Sequence, residues 1–202
     1  MSLEIIVATT NRGKFTEISE VFKELPVKLS FLGELKDPPQ VIEDQPTFEG
    51  NAKKKASEIS KWSGKAVLAD DSGLVVDVLE GRPGVYSARY AGEGSSDQEN
   101  LEKVLSEVRE IPQEKRGAVF ICVMALVTPE GRELVVEGRY EGQIILEPRG
   151  SNGFGYDPIF LIPSLGKTAA ELPLEEKNKV SHRGQALQKL KEILLVSFSS
   201  FS

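Results

Sequence analysis

The chain has 202 residues, 40% of them hydrophobic and 28% charged, with a formal net charge of −6. Such a length and composition suit one soluble globular domain, and the acidic balance argues against a broad nucleic-acid-binding face, which needs clustered Lys and Arg. No apolar run approaches the roughly 18 residues of a membrane helix. The N-terminus lacks the basic and cleavage features of a secretory leader, and the lone Cys122 allows no internal disulfide and no cysteine zinc site, so a cytoplasmic protein is expected.

Residues 4–9 (EIIVAT) read as a first strand. Phe15, Ile18, Val21, Phe22 and Leu25 then recur at helical spacing until Pro26 stops the pattern. Between them lies Thr9-Thr10-Asn11-Arg12-Gly13-Lys14. A strand, a polar loop and a helix start present backbone N–H groups and a helix dipole to an anion. The Walker A spacing fails because Phe15 follows Lys14, so the loop is either phosphate-loop-like or an ordinary turn. Residues 27–32 suggest a second strand. The Pro-rich acidic segment 37–46 reads as loop, with Glu43 and Asp44 solvated by default.

A helix is expected from Thr47 to Ser63, with Phe48, Ala52, Ala56, Ile59 and Trp62 as its apolar stripe. Lys55 falls inside that stripe, about 20° from Phe48 on a wheel of 3.6 residues per turn. It either snorkels or meets an anion, and Asn51 on the same face favours the anion. The pattern from Ala66 to Ala69 is a strand that breaks at Asp70-Asp71, followed by Ser72-Gly73, a second apolar run 74–79 and a turn at Gly81-Arg82-Pro83-Gly84. Adjacent carboxylates repel unless a cation or a proton is near. They mark either a site or a solvated turn.

Ser96-x-x-Glu99 is a capping box for a helix carrying Leu101, Val104, Leu105 and Val108. Residues 118–127 and 133–140 flank Pro129-Glu130-Gly131 and predict a hairpin, extended by 142–146. In residues 147–158 Phe154, Tyr156 and Asp157 stand among glycines. Gly153-Phe154-Gly155 lacks the third glycine of a dinucleotide fingerprint, whereas an aromatic there suits stacking on a base or plain loop packing. Lys177 and Lys179 precede Ser181-His182-Arg183-Gly184, with Ser181 as N-cap of a final helix through Leu187, Leu190 and Leu194. His182 and Arg183 thus occupy a first turn whose dipole disfavours cations by about 0.3–1 kcal/mol, so an anion or a carbonyl oxygen is expected beside them. Alternating strands and helices followed by hairpins imply an α/β fold with a mixed sheet. Residues 196–202 read as a disordered tail.

Six blocks in order resemble the inosine/xanthosine triphosphate pyrophosphatase family, the house-cleaning hydrolases of deaminated purine nucleotides, over nearly the whole chain. They are residues 9–14, Thr47-Phe48-x-x-Asn51-Ala52, residues 69–74, residues 83–90 (PGVYSARY), residues 153–158 and residues 181–184. The resemblance implies an elongated central mixed sheet with flanking helices forming two lobes around an active-site cleft, residues 1–195 as that single domain, and a homodimer. It also implies Mg2+-dependent cleavage of ITP, dITP or XTP to the monophosphate and pyrophosphate, with no nucleic-acid or membrane partner. Asp71 would be catalytic, and Glu43 and Asp71, with Asp70 as a third candidate, would hold the metal. Substrate contacts would fall on Thr9, Thr10, Asn11, Arg12, Gly13, Lys14, Lys55, Ser72, Phe154, Gly155, Tyr156, Asp157, Lys177, His182 and Arg183. Lys14 and Lys55 would take phosphates, Phe154 would stack on the base, and Lys177, His182 and Arg183 would donate to its 6-oxo group. Thr10 departs from the glycine frequent in the first block, leaving that loop's shape less defined. Rival readings are a related pyrophosphatase of pyrimidine or modified nucleotides, and a nucleotide-binding sensor without turnover.

Overall fold

The chain forms twelve main elements in a computed structural model, which describes residues 3–199. In order they are β1 (Leu3–Val7), α1 (Arg12–Phe22), β2 (Val27–Phe31), α2 (Phe48–Ser63), β3 (Ala66–Val76), α3 (Asp97–Val108), β4 (Gly117–Val127), β5 (Glu133–Ile144), β6 (Phe160–Ile162), β7 (Lys167–Thr168), α4 (Leu174–Val180) and α5 (His182–Ser199). The strand order is β2-β1-β3-β4-β5-β6-β7. Strand β1 runs parallel to β2 and β3, whereas β6 is antiparallel to β5 and β7, so the sheet is mixed and the fold is α/β with flanking helices.

The chain divides into two units. Unit 1 comprises Met1–Asp71, Cys122–Gly138 and Arg183–Ser202, and unit 2 comprises Ser72–Ile121 and Arg139–His182. In unit 1 the apolar stripes of α1 (Ile18, Phe22) and α5 (Ala186, Leu187, Leu190, Leu194) pack on Ile5, Val7, Ala66, Leu68, Cys122 and Met124. In unit 2 the stripe of α3 (Leu101, Val104, Val108) packs with Leu74, Val76, Ala118, Phe120 and the buried aromatics Tyr156 and Phe160. Helix starts follow the expected capping chemistry. Thr47 accepts from Gly50 N (3.0 Å) at α2, and Ser96 and Glu99 form a reciprocal capping box at α3.

Three features differ from the sequence reading. The Asp70-Asp71 pair does not end a strand: β3 continues through it to Val76. A strand tolerates the pair because successive side chains leave on opposite sides of the sheet. The last helix runs on to Ser199, so the expected tail is helical that far, and residues 200–202 lie outside the described residues. Finally, β6, β7 and α4 were not anticipated, being three, two and seven residues long.

Candidate active site

Alternation along β3 decides the site in unit 1. Asp70 shares its side with Ala66 and Leu68, which pack under α1 and α5. It therefore meets Lys14 at the start of α1 (Nζ–Oδ2 2.9 Å) and Arg183 at the start of α5 (Nη2–Oδ2 3.3 Å). Arg183 also binds Glu17, one turn beyond Lys14 (Nη1–Oε2 2.7 Å). Burial alone would raise the Asp70 carboxyl, but Lys14, Arg183 and Lys55 override it and hold the group far below the usual carboxylate range. Burial likewise disfavours the Arg183 cation, and Asp70 and Glu17 more than compensate. The anion inferred beside the first turn of α5 is thus present, and it belongs to the protein.

Asp71 points the other way, to α2. Its Oδ2 accepts from Asn51 Nδ2 (2.9 Å), and Asn51 Oδ1 in turn accepts from Gln45 N (2.9 Å), which ties down the loop carrying Glu43. Burial pushes the Asp71 carboxyl up to about 6; the Glu43 charge adds to this, and the Asn51 bond with Lys55 and Lys14 offsets part of it. Lys55 is paired with Glu43 and largely enclosed. Burial disfavours its charge, yet Asp70 and Glu43 hold it protonated above the ordinary lysine range. Its neighbours turn outward, Lys53 to Glu49 and Lys54 to Asp44.

In the loop before α1, Thr9 Oγ1 accepts from Asn11 N (3.1 Å) and Asn11 Oδ1 caps the helix by accepting from Lys14 N (3.1 Å). Thr10, Asn11, Arg12 and Gly13 are exposed. Arg12 reaches Glu34 (2.9 Å) and lies over the Phe31 ring, so its side chain serves the surface in this structure.

The expected residues of unit 2 form a second group. Asp157 Oδ2 accepts from Phe154 N (3.0 Å) and pairs with Lys177 Nζ (2.7 Å), whose ammonium lies 5.0 Å from the Phe154 ring centre. Gly153 has φ +78°, and a Cβ there would come within 2.1 Å of Asp157 Oδ2, so only glycine lets the loop close on that carboxylate. Gly155 N donates to Asp97 Oδ2 (2.9 Å) and the Tyr156 hydroxyl to Ser87 O (2.8 Å). Asp157 and Tyr156 therefore shape the loop, and the buried Lys177 ammonium meets both the Asp157 carboxylate and the Phe154 ring. His182 stacks on Phe120 (4.8 Å between ring centres). Ser72 is half-buried at the start of unit 2. Sequence reasoning missed Glu17, and it gave Asn51 a place on the face of α2 and in a family block but no role. A charge on the same face as Lys14 was the available signal for Glu17.

A divalent cation suits part of the expected metal set. Among the described residues no three His, Cys, Asp or Glu side chains gather to hold one. Asp70 is already engaged by two cations, and the strand sends it away from Asp71. Glu43 and Asp71 remain. Their mutual repulsion raises Asp71, which a hard cation would relieve, and two carboxylates completed by phosphate and water are a normal Mg2+ environment.

A family model described as Ham1 family matches residues 5–193. The dITP/XTP pyrophosphatase of Geobacter sulfurreducens is 52% identical over 190 residues, spanning 94% of this chain and 96% of that protein. The dITP/XTP pyrophosphatase of Shouchella clausii is 50% identical over 191 residues, spanning 95% and 96%. Among solved structures, a HAM1 protein from Coxiella burnetii superposes with a TM-score of 0.88 at 44% identity, over 96% of this chain and 98% of that one.

Proposed function

The chain belongs to the Ham1 family, and on that premise we propose how its residues act as a nucleoside triphosphate pyrophosphatase. The enzyme hydrolyses deaminated purine nucleoside triphosphates, of the dITP and XTP type named for its relatives, to the monophosphate and pyrophosphate. The observation that carries the mechanism is the placement of Asp71, a buried carboxyl whose Oδ2 is fixed by Asn51 on the face of α2 that also carries Lys55. A general base must first stand within hydrogen-bond reach of the proton it takes, and a carboxylate held through one oxygen keeps the other for a water. Asp71 takes the proton of a water attacking the α-phosphorus, and pyrophosphate leaves. Lys14 and Lys55, with the N–H groups of residues 10–13, bind the β- and γ-phosphates and offset the charge that gathers on the leaving group. Asp70, Arg183 and Glu17 position Lys14.

Glu43 and Asp71 would hold Mg2+, which when bound neutralises phosphate charge. Phe154 stacks on the base. Lys177 donates to its 6-oxo oxygen, assisted by the first-turn groups around His182. Adenine presents an amino donor at that position and leaves those donors unmatched, which penalises it. The working state is a homodimer, which sedimentation at micromolar concentration tests.

Pyrophosphate release from dITP, XTP, dGTP and dATP, with Mg2+ and with a chelator, tests the reading. Expected are turnover of dITP and XTP that the chelator abolishes, and poor turnover of dATP. Nucleotide binding without pyrophosphate release would overturn the mechanism in favour of a sensor.

A further inference from the structure

We propose that unit 2 carries a second anion site, built around Arg116 and Arg149, that takes a small sugar-phosphate monoester. Arg116 is only 8% exposed. Its Nε donates to Ile111 O (2.7 Å), a neutral partner, and it forms no ion pair with any described residue. A buried charge is ordinarily matched by an opposite one. Here Arg116 instead lines a pocket of about 460 Å3. That volume lies in the range of small-ligand sites, roughly 300–1,000 Å3.

The second arginine is held in place by its surroundings. Arg149 N donates to Pro158 O (2.9 Å), and Arg149 O accepts from Thr168 Oγ1 (2.8 Å). Its Nη2 donates to Gly166 O (3.2 Å) and stands 3.5 Å from Glu171, which leaves the guanidinium part-compensated and 44% exposed. The next residue, Gly150, has φ +83°, and a Cβ there would strike the Ala170 carbonyl at 2.4 Å, so the chain is pressed against that backbone. The Arg116 backbone is anchored too, by Ile144 N donating to its carbonyl (2.9 Å).

The remaining walls narrow the ligand. Guanidinium forks match phosphate oxygens in pairs. Ile145, Leu146 and Leu161 give an apolar wall for a ligand body, and Gln113 offers an amide. Glu147 repels a bare polyanion such as pyrophosphate but accepts from hydroxyl groups. A phosphate monoester on a hydroxylated carbon body satisfies all four features. Sugar phosphates and nucleoside monophosphates share that chemistry. None of these residues belongs to the group proposed for catalysis, so the site stands apart from the reaction.

Calorimetry on the full chain with ribose 5-phosphate, AMP and inorganic phosphate tests it. Saturable binding of ribose 5-phosphate is expected, tighter than that of inorganic phosphate. Arg149→Ala and Arg116→Gln should each weaken it by at least about tenfold, the scale for losing a charged hydrogen bond, while dITP turnover stays within about twofold. AMP bound more tightly than ribose 5-phosphate makes the ligand a nucleotide, and equal affinity makes it a sugar phosphate; both support the site. Absence of saturable binding, equal affinity for bare phosphate, or binding unchanged in both variants overturns it. Should Arg116→Gln fail to fold, Arg149→Ala decides alone, because Arg149 is on the surface.

Discussion

Asp70 and Asp71 are neighbours in sequence, yet alternation gives them opposite environments and opposite titration. Asp70 is ionised between Lys14 and Arg183, so Asp70→Asn leaves buried cations uncompensated and should destabilise by roughly 3–5 kcal/mol, the cost of breaking a buried pair. Asp71 behaves the other way. Its folded pKa of about 6 lies above the ordinary 3.8, so its ionised form is a cost to the fold that is absent below the ordinary value and complete above about 6. In metal-free protein, Asp71→Asn should therefore stabilise at pH 7.5 by up to roughly 3 kcal/mol, with the gain fading toward pH 4, while turnover falls by ~10²-fold or more. Denaturant unfolding at the two pH values, with pyrophosphate release, checks this. A variant that is less stable at pH 7.5, or that keeps near-normal turnover, would remove Asp71 from its role.

At the scale of elements, legibility followed how local the cause was. The stripe of α2 placed Lys55 correctly beside an anion, because helical period fixes a face without tertiary help. The capping box Ser96-x-x-Glu99 marked the start of α3 for the same reason. Strand β3 was misread at its centre, since two charged residues look like a break until partners on both sides of the sheet neutralise or fix them. Helix α4 and strands β6 and β7 are too short to show a period, and Lys177 consequently read as a lead-in rather than as a buried helix residue held by Asp157. Arg183 read as a ligand donor because Glu17, its partner, is 166 residues away in sequence. The α2 arrangement makes its own prediction. Asn51 Oδ1 takes the Gln45 N–H, which leaves Nδ2 for Asp71. Asn51→Asp replaces that donor with a second negative charge beside Asp71, which disfavours its ionised form further. The acid limb of kcat/KM against pH should move upward, by about one pH unit or more, and Tm should fall because the added carboxylate is buried without a counter-charge. An unmoved limb would mean that Asn51 only anchors the loop.

Across the whole molecule, the proposed chemistry separates by unit. The phosphate and metal residues Lys14, Glu43, Lys55 and Asp71 belong to unit 1, and Phe154, Asp157 and Lys177 belong to unit 2. The triphosphate is common to all substrates, whereas the base distinguishes them, so variants of the two groups should produce different kinetic patterns. The unaltered enzyme should favour dITP over dATP in kcat/KM by at least ~10²-fold, the lower range for sites that read a polar group. Lys55→Met should lower both values by a similar factor and keep the ratio. Lys177→Met and Phe154→Ala should lower dITP hydrolysis most and shrink the ratio. Arg183 is the informative case, because its sequence position suggested base reading and its contacts with Glu17 and Asp70 tie it to the phosphate group. Arg183→Lys keeps the charge but loses the paired fork, so it should behave like Lys55→Met, lowering both rates with the ratio intact. A shrunken ratio in Arg183→Lys with an unchanged one in Lys177→Met would reverse the assignment and put base recognition at the start of α5.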